Sequence, residues 1–172
     1  LKNVKMISKS DGSGFEPAEI EIIPIIDQMK ERLERSYPGD IQLLIDKFDV
    51  DSPRILADKD IKIVMEKLLD NAIKVQSTSS KWVKINLISG QDGMIRRIEV
   101  EDKGPGINDE MKRDLFQRKL RIGEKMLTGL GLTVVKMIVD AHGWNIWIED
   151  RVEGSTESGA RFVIEIGKSD SK

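Results

Sequence analysis

One segment of the sequence, residues 66–74, combines an amide, an ammonium group and a regular apolar spacing. Apolar residues recur three and four positions apart, which predicts a helix whose opposite side carries Asp70, Asn71 and Lys74. The Asn71 amide oxygen could ligate a metal ion, and the Lys74 ammonium group could neutralise a phosphate. The same spacing is typical of an ordinary solvated helix face, so this segment alone leaves both interpretations open.

A second candidate lies where an alternating strand pattern ends in Asp102, which is followed by Gly104 and Gly106. A carboxylate in this position can accept a hydrogen bond from an exocyclic amine such as that of adenine. Two glycines one residue apart let the backbone approach a planar ligand, because they lack a Cβ atom. A Pro-Gly turn after a strand would give the same residues, and this segment alone does not separate the two interpretations.

A third candidate is the glycine pair Gly129 and Gly131, within residues 128–132 at the start of an apolar helix. Backbone N–H groups and the positive end of the helix dipole favour phosphate binding there. The segment matches neither a Walker A loop nor a dinucleotide-binding glycine loop, and packing of the helix start against a sheet is the alternative. The preceding connection, residues 117–128, is irregular and would suit a lid over polyphosphate. Its basic residues are Arg118, Lys119, Arg121 and Lys125.

The composition excludes several other kinds of site. The chain has 172 residues and no Cys, which rules out disulfides, thiolate metal sites and Cys nucleophiles. Its one His, His142, rules out a multi-histidine metal site, and its place before Gly143 at a predicted helix end favours a structural role. The net charge of -2 gives no overall field for nucleic acid, and no apolar stretch is long enough to cross a bilayer. We therefore expect neither a nucleic-acid partner nor direct membrane contact.

These candidates need a scaffold of helices and strands to bring them together. Apolar spacing predicts helices over about 24–36, 58–76 and 129–141, and Asn108 as a cap predicts a short helix over about 108–116. Alternation predicts strands over about 19–22, 41–48, 54–57, 81–89, 94–101, 145–150 and 160–166. The predicted fold class is therefore α+β, a two-layer sandwich in which about three helices cover one face of a mixed, mostly antiparallel sheet.

The candidate segments occur in a fixed order along the chain, and together they are more specific than any one of them. In this order the sequence resembles the GHKL superfamily of ATP-binding domains, and within it the catalytic domain of sensor histidine kinases. Residues 68–74 resemble the family's Asn box, 102–106 its first glycine box, 115–118 its Phe box and 129–132 its second glycine box. The resemblance covers nearly the whole chain, from about residue 20 to about residue 166.

The resemblance implies a role for each matching residue. Asn71 would ligate Mg²⁺ while ATP phosphates complete the coordination, Lys74 would neutralise phosphate charge, and Asp102 would receive the adenine amino group. The expected cofactors are therefore ATP and Mg²⁺, and the expected catalytic residues are Asn71 and Lys74. The other residues implied in ATP binding are Gly104, Gly106, Ile107, Arg118, Thr128, Gly129, Leu130, Gly131 and Leu132.

A few positions depart from the family pattern. Lys67 stands one helical turn before Asn71, where histidine kinases often carry Asn and gyrase-type ATPases carry a Glu that acts as general base. The adjacent Glu66 is turned by about a hundred degrees around the helix and cannot replace that base. Val75 stands at a position that is often aromatic, and Leu127 and Trp144 stand at positions that are commonly Gly. These departures concern affinity and catalysis more than the fold.

Three functions remain open from the sequence. The first is the cytoplasmic ATP-binding catalytic domain of a histidine kinase, with membrane anchoring of the parent protein left open. It would transfer the γ-phosphoryl group of Mg-ATP to a histidine on a separate dimerisation domain and work with a response-regulator receiver domain. The second is an anti-sigma-type serine kinase of the same fold, and the third is a nucleotide-sensing or docking domain without kinase activity. The first interpretation assigns 1–18 to a linker with the tail of an upstream dimerisation helix, 19–167 to the ATP-binding domain and 168–172 to a polar tail.

Overall fold

The structure is a computed structural model that describes residues 17–37, 39–48, 50–116 and 130–167. In chain order its elements are β1 (Ala18–Glu21), α1 (Ile23–Ser36), β2 (Ile41–Phe48), β3 (Arg54–Ala57), α2 (Ile61–Lys74), β4 (Lys81–Ser89), β5 (Ile95–Asp102), α3 (Asp109–Asp114), α4 (Leu130–Ala141), β6 (Asn145–Val152) and β7 (Ser155–Glu165). Each lies where the apolar spacing or alternation of the sequence predicts an element of that type, although some of the ends differ.

Five strands form the main sheet in the order β2-β4-β5-β7-β6, and β1 pairs with β3 in a separate two-stranded sheet. β2 runs parallel to β4, whereas the other neighbours in the main sheet are antiparallel. The parallel pair is possible because β3 and α2 lie between β2 and β4 in the chain and return it to the same end of the sheet. This mixed sheet, covered by helices on one face, confirms the predicted fold class.

The hydrophobic core lies between the main sheet and the helices α1, α2 and α4. Alternate strand residues such as Val83 and Ile85 of β4 are fully buried, because successive side chains of a strand face opposite sides of the sheet. α2 contributes the apolar side that its spacing predicts, and that side is almost completely covered. Its buried residues are Ile61, Val64, Met65, Leu68, Leu69, Ala72 and Ile73. Only the other sides of α2 are therefore available to a ligand.

The opposite face of the sheet carries a network of charged side chains. Arg161 lies 3.1 Å from Glu101 and 3.3 Å from Glu149, because the three residues are register partners across β5, β7 and β6. Burial acts to raise the pKa of Glu149. The hydrogen bond from Trp147 and the positive charges of Arg97 and Arg161 outweigh burial, so this pKa lies below its usual range. Cross-strand ion pairs therefore contribute to covering this face.

The last hairpin is longer than the sequence predicts. β6 extends to Val152 and β7 begins at Ser155, so residues 155–159, expected in a turn, continue the strand. The reversal needs only Glu153 and Gly154, because Gly154 adopts the positive φ of 75° that a tight turn requires. The Gly and Ser content of this segment suggested a loop, but pairing with β6 holds it in the sheet.

Candidate nucleotide-binding site

One exposed side of α2 presents the two residues predicted to meet a metal ion and phosphates. Asn71 is half-buried and Lys74 is exposed, one turn apart at the carboxyl end of the helix. The buried side of α2 fixes this orientation, since rotation of the helix would expose Leu68 and Leu69 to water. Asn71 and Lys74 therefore lie together at one end of α2, as their spacing predicts.

A neighbouring side of α2 is used for helix packing. Arg32 of α1 hydrogen-bonds Asp70 at 3.0 Å and lies 3.6 Å from Glu66. One guanidinium group engages both carboxylates because they are one helical turn apart. Asp70, expected on the outward side with Asn71 and Lys74, is thus directed towards α1 instead.

The amino end of α4 lies beside α2. A Cβ atom added to Gly131 would be 3.5 Å from Cδ of Lys67, so the first turn of α4 meets α2 one turn before Asn71. Leu132 is buried in the core and fixes the start of this helix, whose first residue is Leu130. The first turn of a helix leaves N–H groups without partners inside the helix, and the helix dipole is positive there. This end of α4 can therefore receive a phosphate next to α2.

The carboxylate of Asp102 lies at the end of β5 and is only 2% exposed. Its Oδ1 accepts hydrogen bonds from the backbone N–H of Gly104 at 2.7 Å and of Ala160 at 3.4 Å. Among the described residues, its Oδ2 accepts no hydrogen bond. Burial raises the pKa of Asp102, although the two N–H donors and the positive charge of Arg151 act in the opposite direction. One oxygen of a buried carboxylate is thus left to accept a proton donor from a ligand.

The two glycines after Asp102 are needed for different reasons. A Cβ atom on Gly104 would lie 2.7 Å from Cγ2 of Val75, so this glycine lets the β5 end approach the end of α2. Gly106 has a φ of +76°, and a Cβ atom there would lie 2.0 Å from the carbonyl oxygen of Thr156. Ile107 follows as a half-buried residue packed against the core. The loop is therefore held between α2 and β7.

These contacts bring two of the other predicted segments to α2. Gly104 touches the residue after Lys74, and Gly131 touches Lys67 one turn before Asn71. Arg118, Thr128 and Gly129 lie outside the described residues, as does the basic connection 117–128, and for Leu130 only the backbone is described. The described part of the site is therefore a surface of α2 bordered by the β5 end on one side and the α4 start on the other.

Two residues that the sequence analysis did not select also shape this site. Gly159 of β7 has a φ of +93°, and a Cβ atom there would lie 2.0 Å from the carbonyl oxygen of Asp102. A glycine inside a strand is a sign of close backbone approach, and that signal was missed because the residue was assigned to a turn. Gln76 is 4% exposed and hydrogen-bonds both α2 and β4. No sequence spacing marks it.

His142 packs at the carboxyl end of α4, away from the α2 surface described above. Its side chain is 2% exposed, its Nδ1 lies 2.8 Å from the carbonyl oxygen of Ile138, and its Nε2 lies 3.2 Å from Oδ1 of Asp58. Gly143 follows with a φ of +67°, as a helix cap requires. The ring also packs on Trp144, with ring centroids 4.5 Å apart. These contacts match the structural role predicted for this histidine.

A metal ion at this site would depend on its ligand for most of its coordination. Among the described residues, no group of three or more His, Cys, Asp or Glu side chains is placed to hold a metal ion. Mg²⁺ is commonly bound by one or two protein oxygens together with water and substrate phosphates. The half-buried Asn71, beside a cation at Lys74, fits that mode of binding.

The fold and the arrangement around α2 are those of an ATP-binding domain of the GHKL type. The sequence profile described as "Histidine kinase-, DNA gyrase B-, and HSP90-like ATPase" matches residues 57–169. The chain belongs to this family. The resemblance given by the Asn box and the glycine boxes is thereby confirmed.

Several relatives of the chain are histidine kinases. It is 30% identical over 161 residues to the signal transduction histidine-protein kinase/phosphatase MprB of Mycolicibacterium smegmatis, and the match covers 90% of this chain and 31% of that protein. It is 30% identical to the adaptive-response sensory kinase SasA of Prochlorococcus marinus, over 78% of this chain and 36% of that protein. The chain thus spans about a third of the length of these curated relatives.

A solved structure extends the likeness to the whole fold. The nucleotide-free catalytic domain of histidine kinase ThkA superposes with a TM-score of 0.67 at 28% identity, covering 89% of this chain and 97% of that one. The alignment covers most of this chain and nearly all of that catalytic domain, so the two share one fold. Within the described ranges, no helix is both long and apolar enough to span a lipid bilayer.

Proposed function

We propose that this domain binds Mg-ATP and transfers the γ-phosphoryl group to a histidine on a separate dimerisation domain. The observation that carries the proposal is that a buried carboxylate, the start of α4 and a half-buried amide all lie around one surface of α2. Their key residues are Asp102, Gly131 and Asn71. Membership in the ATPase family and the kinase relatives support the same conclusion.

Adenine would be recognised at the end of β5. The backbone amides of Gly104 and Ala160 hold Oδ1 of Asp102, so Oδ2 can accept the exocyclic amine of the base. Because the carboxylate is buried, this hydrogen bond would be little weakened by competing water. The loop from Gly104 to Ile107 would line the base pocket, held in place by the close approach of Gly104 to α2 and of Gly106 to β7.

Phosphate binding would occur at the other border of the α2 surface. Phosphoryl transfer depends mainly on positioning and charge neutralisation, because its transition state is loose and needs little covalent help from the protein. When bound, Mg²⁺ would neutralise charge on the phosphate oxygens, and Asn71 would hold it. Lys74 adds a positive charge on the next turn of α2, and the start of α4 at Gly131 adds backbone N–H donors.

The alternatives are less well supported. An anti-sigma-type serine kinase of the same fold would act on a hydroxyl group, whereas the relatives above are named as histidine kinases. A nucleotide-sensing or docking domain without kinase activity could also use the buried Asp102, but the relatives above are named as kinases. We therefore favour a catalytic domain that works in the cytoplasm, where ATP is available, with a histidine-bearing dimerisation domain and a response-regulator receiver domain as partners.

The proposal can be tested in two steps. In the first, calorimetric titration of the 172-residue chain with ATP should show binding that strengthens when Mg²⁺ is added. In the second, the chain is mixed with a separately expressed histidine-bearing dimerisation domain and γ-labelled ATP. Acid-labile label should appear on that domain only when both proteins are present. A chain that does not bind ATP would overturn the proposal, and acid-stable label on an acceptor serine would favour the anti-sigma alternative.

A further inference from the structure

The buried side chain of Gln76 connects two parts of the candidate site. Its Nε2 donates to the carbonyl oxygens of Ala72 at 2.7 Å and Trp82 at 2.9 Å. Its Oε1 accepts from the backbone N–H of Trp82 at 3.0 Å. The amide thus bonds to the last turn of α2 and to the first residues of β4 at the same time.

On the strand side, Gln76 hydrogen-bonds β4 next to the point where β5 ends. The last register pair between β4 and β5 is Val83–Asp102. At Trp82, one residue before Val83, the backbone N–H and the carbonyl oxygen both hydrogen-bond the side-chain amide of Gln76. The side chain therefore takes the place of a strand residue in the ladder. Consequently β5 can end at Asp102 and turn into the Gly104 loop without leaving the Trp82 groups unpaired.

On the helix side, Gln76 fixes the end of α2. The carbonyl oxygens of the last helical turn have no regular partner within the helix. The backbone N–H of Gln76 bonds to Ile73 at 3.3 Å, and the side chain serves the carbonyl of Ala72. The Lys81 ammonium group in turn donates to the carbonyl oxygen of Gln76. The turn that carries Asn71 and Lys74 is thereby tied to β4.

We infer that Gln76 is a positioning residue that sets the separation between the adenine half of the site and its phosphate half. The inference rests on the proposed function. The adenine half is Asp102 with Gly104, and the phosphate half is Asn71 with Lys74. A ligand that spans both halves binds tightly only when they stand at the correct separation. Catalysis is equally sensitive to positioning, since a misplacement of about 1 Å can cost up to about a hundredfold in rate. A ligand that occupies one half does not depend on the separation.

The test compares a ligand that spans the site with one that does not. Gln76→Met keeps the length of the side chain but removes all three hydrogen bonds. We expect the affinity for Mg-ATP to fall by about tenfold or more, and the affinity for adenosine to change by less than about threefold. Gln76→Glu is a second variant, because it keeps the acceptor for Trp82 but places an oxygen against two carbonyl oxygens. It should show the same selective loss if Gln76→Met does not fold.

Gln91→Met is the matched control, since Gln91 is exposed in the turn between β4 and β5. It should leave both affinities unchanged. Equal losses of Mg-ATP and adenosine affinity in the Gln76 variants would mean a merely structural role and would overturn the inference. If the wild-type chain binds adenosine and not Mg-ATP, the proposed function fails and the inference fails with it.

Discussion

Asp102 Oδ1 accepts the backbone N–H of Gly104 at 2.7 Å, and this bond separates the two oxygens of the carboxylate by role. Oδ1 closes the loop, with a second and longer bond from Ala160 at 3.4 Å. Oδ2 is the oxygen that a ligand can use. An Asn side chain would keep both backbone hydrogen bonds, because its Oδ1 still accepts them. It would lose the acceptor for a ligand, because an amide NH₂ group that donates replaces Oδ2.

Asp102→Asn should therefore weaken adenine-nucleotide binding. A hydrogen bond to a charged group contributes about 1.5–3 kcal/mol, which corresponds to roughly ten- to a hundredfold in affinity. Calorimetry of wild-type and variant chains with ATP and with GTP measures the change. The loss should be specific to ATP, since guanine has no amino group at the equivalent position. Equal ATP affinities in the two proteins would remove Asp102 from the base pocket.

The same substitution should stabilise the unliganded domain at neutral pH. Burial raises the pKa of Asp102 in the folded state. The contribution of this group to the free energy of unfolding is therefore fully present below its unfolded pKa and is lost as the pH rises through its folded pKa. At pH 7 the ionised group costs stability, and the neutral Asn does not. Denaturant unfolding should give Asp102→Asn a higher free energy of unfolding at pH 7, with the difference shrinking as the pH is lowered towards 4. A destabilised variant at pH 7 would contradict this account.

Gly131 and Gly106 should respond in opposite ways to replacement by Ala. A Cβ atom at Gly131 meets the flexible Lys67 side chain at an ordinary contact distance of 3.5 Å, so Gly131→Ala should stabilise α4, by up to about 1 kcal/mol. Gly106→Ala combines a positive φ with a backbone overlap at Thr156, and should destabilise the fold by more than about 1 kcal/mol. Thermal unfolding measures both effects.

The ATP affinity of Gly131→Ala tests the role of Gly131 in phosphate binding. If the glycine at 131 exists to let a phosphate approach the helix start, Gly131→Ala should weaken ATP binding although the protein becomes more stable. An unchanged ATP affinity in this variant would show that phosphate does not bind against Gly131.

Much of this site could be anticipated from the sequence because its parts are local. Helical spacing identifies the buried side of α2 and hence the side that carries Asn71, and a strand followed by two glycines identifies Asp102. The contacts that join these parts could not be anticipated in the same way. Gly159 approaches Asp102 from a strand that is distant in sequence, and Gln76 binds through a buried amide that no periodicity marks. Such pairings are properties of the assembled sheet rather than of any one segment.

His142 should not become phosphorylated in this chain, although it is the only histidine. Its side chain is 2% exposed and is held by Ile138 and Asp58, so neither ring nitrogen can reach ATP without unfolding the end of α4. Incubation with γ-labelled ATP should give no acid-labile label. His142→Ala should instead lower the free energy of unfolding by about 1–3 kcal/mol, because it removes buried contacts. Acid-labile label on the wild-type chain that is lost in His142→Ala would overturn this assignment.

Hydrolysis of ATP by this domain should be very slow. In gyrase-type ATPases the water-activating base stands one turn before the position of Asn71, and here Lys67 occupies that place with a positive charge. The neighbouring Glu66 is held 3.6 Å from Arg32 on the α1 side of the helix, and turning it inward would pull Leu68 and Leu69 out of the core. Without a base, water competes poorly with a histidine acceptor for the γ-phosphoryl group.

A phosphate-release assay on the wild-type chain should therefore show negligible turnover, and Glu66→Gln should leave that turnover unchanged. Asn71→Asp should instead alter the Mg²⁺ dependence of ATP binding. Robust turnover that disappears in Glu66→Gln would identify Glu66 as the base and show that α2 is turned differently from the structure described above.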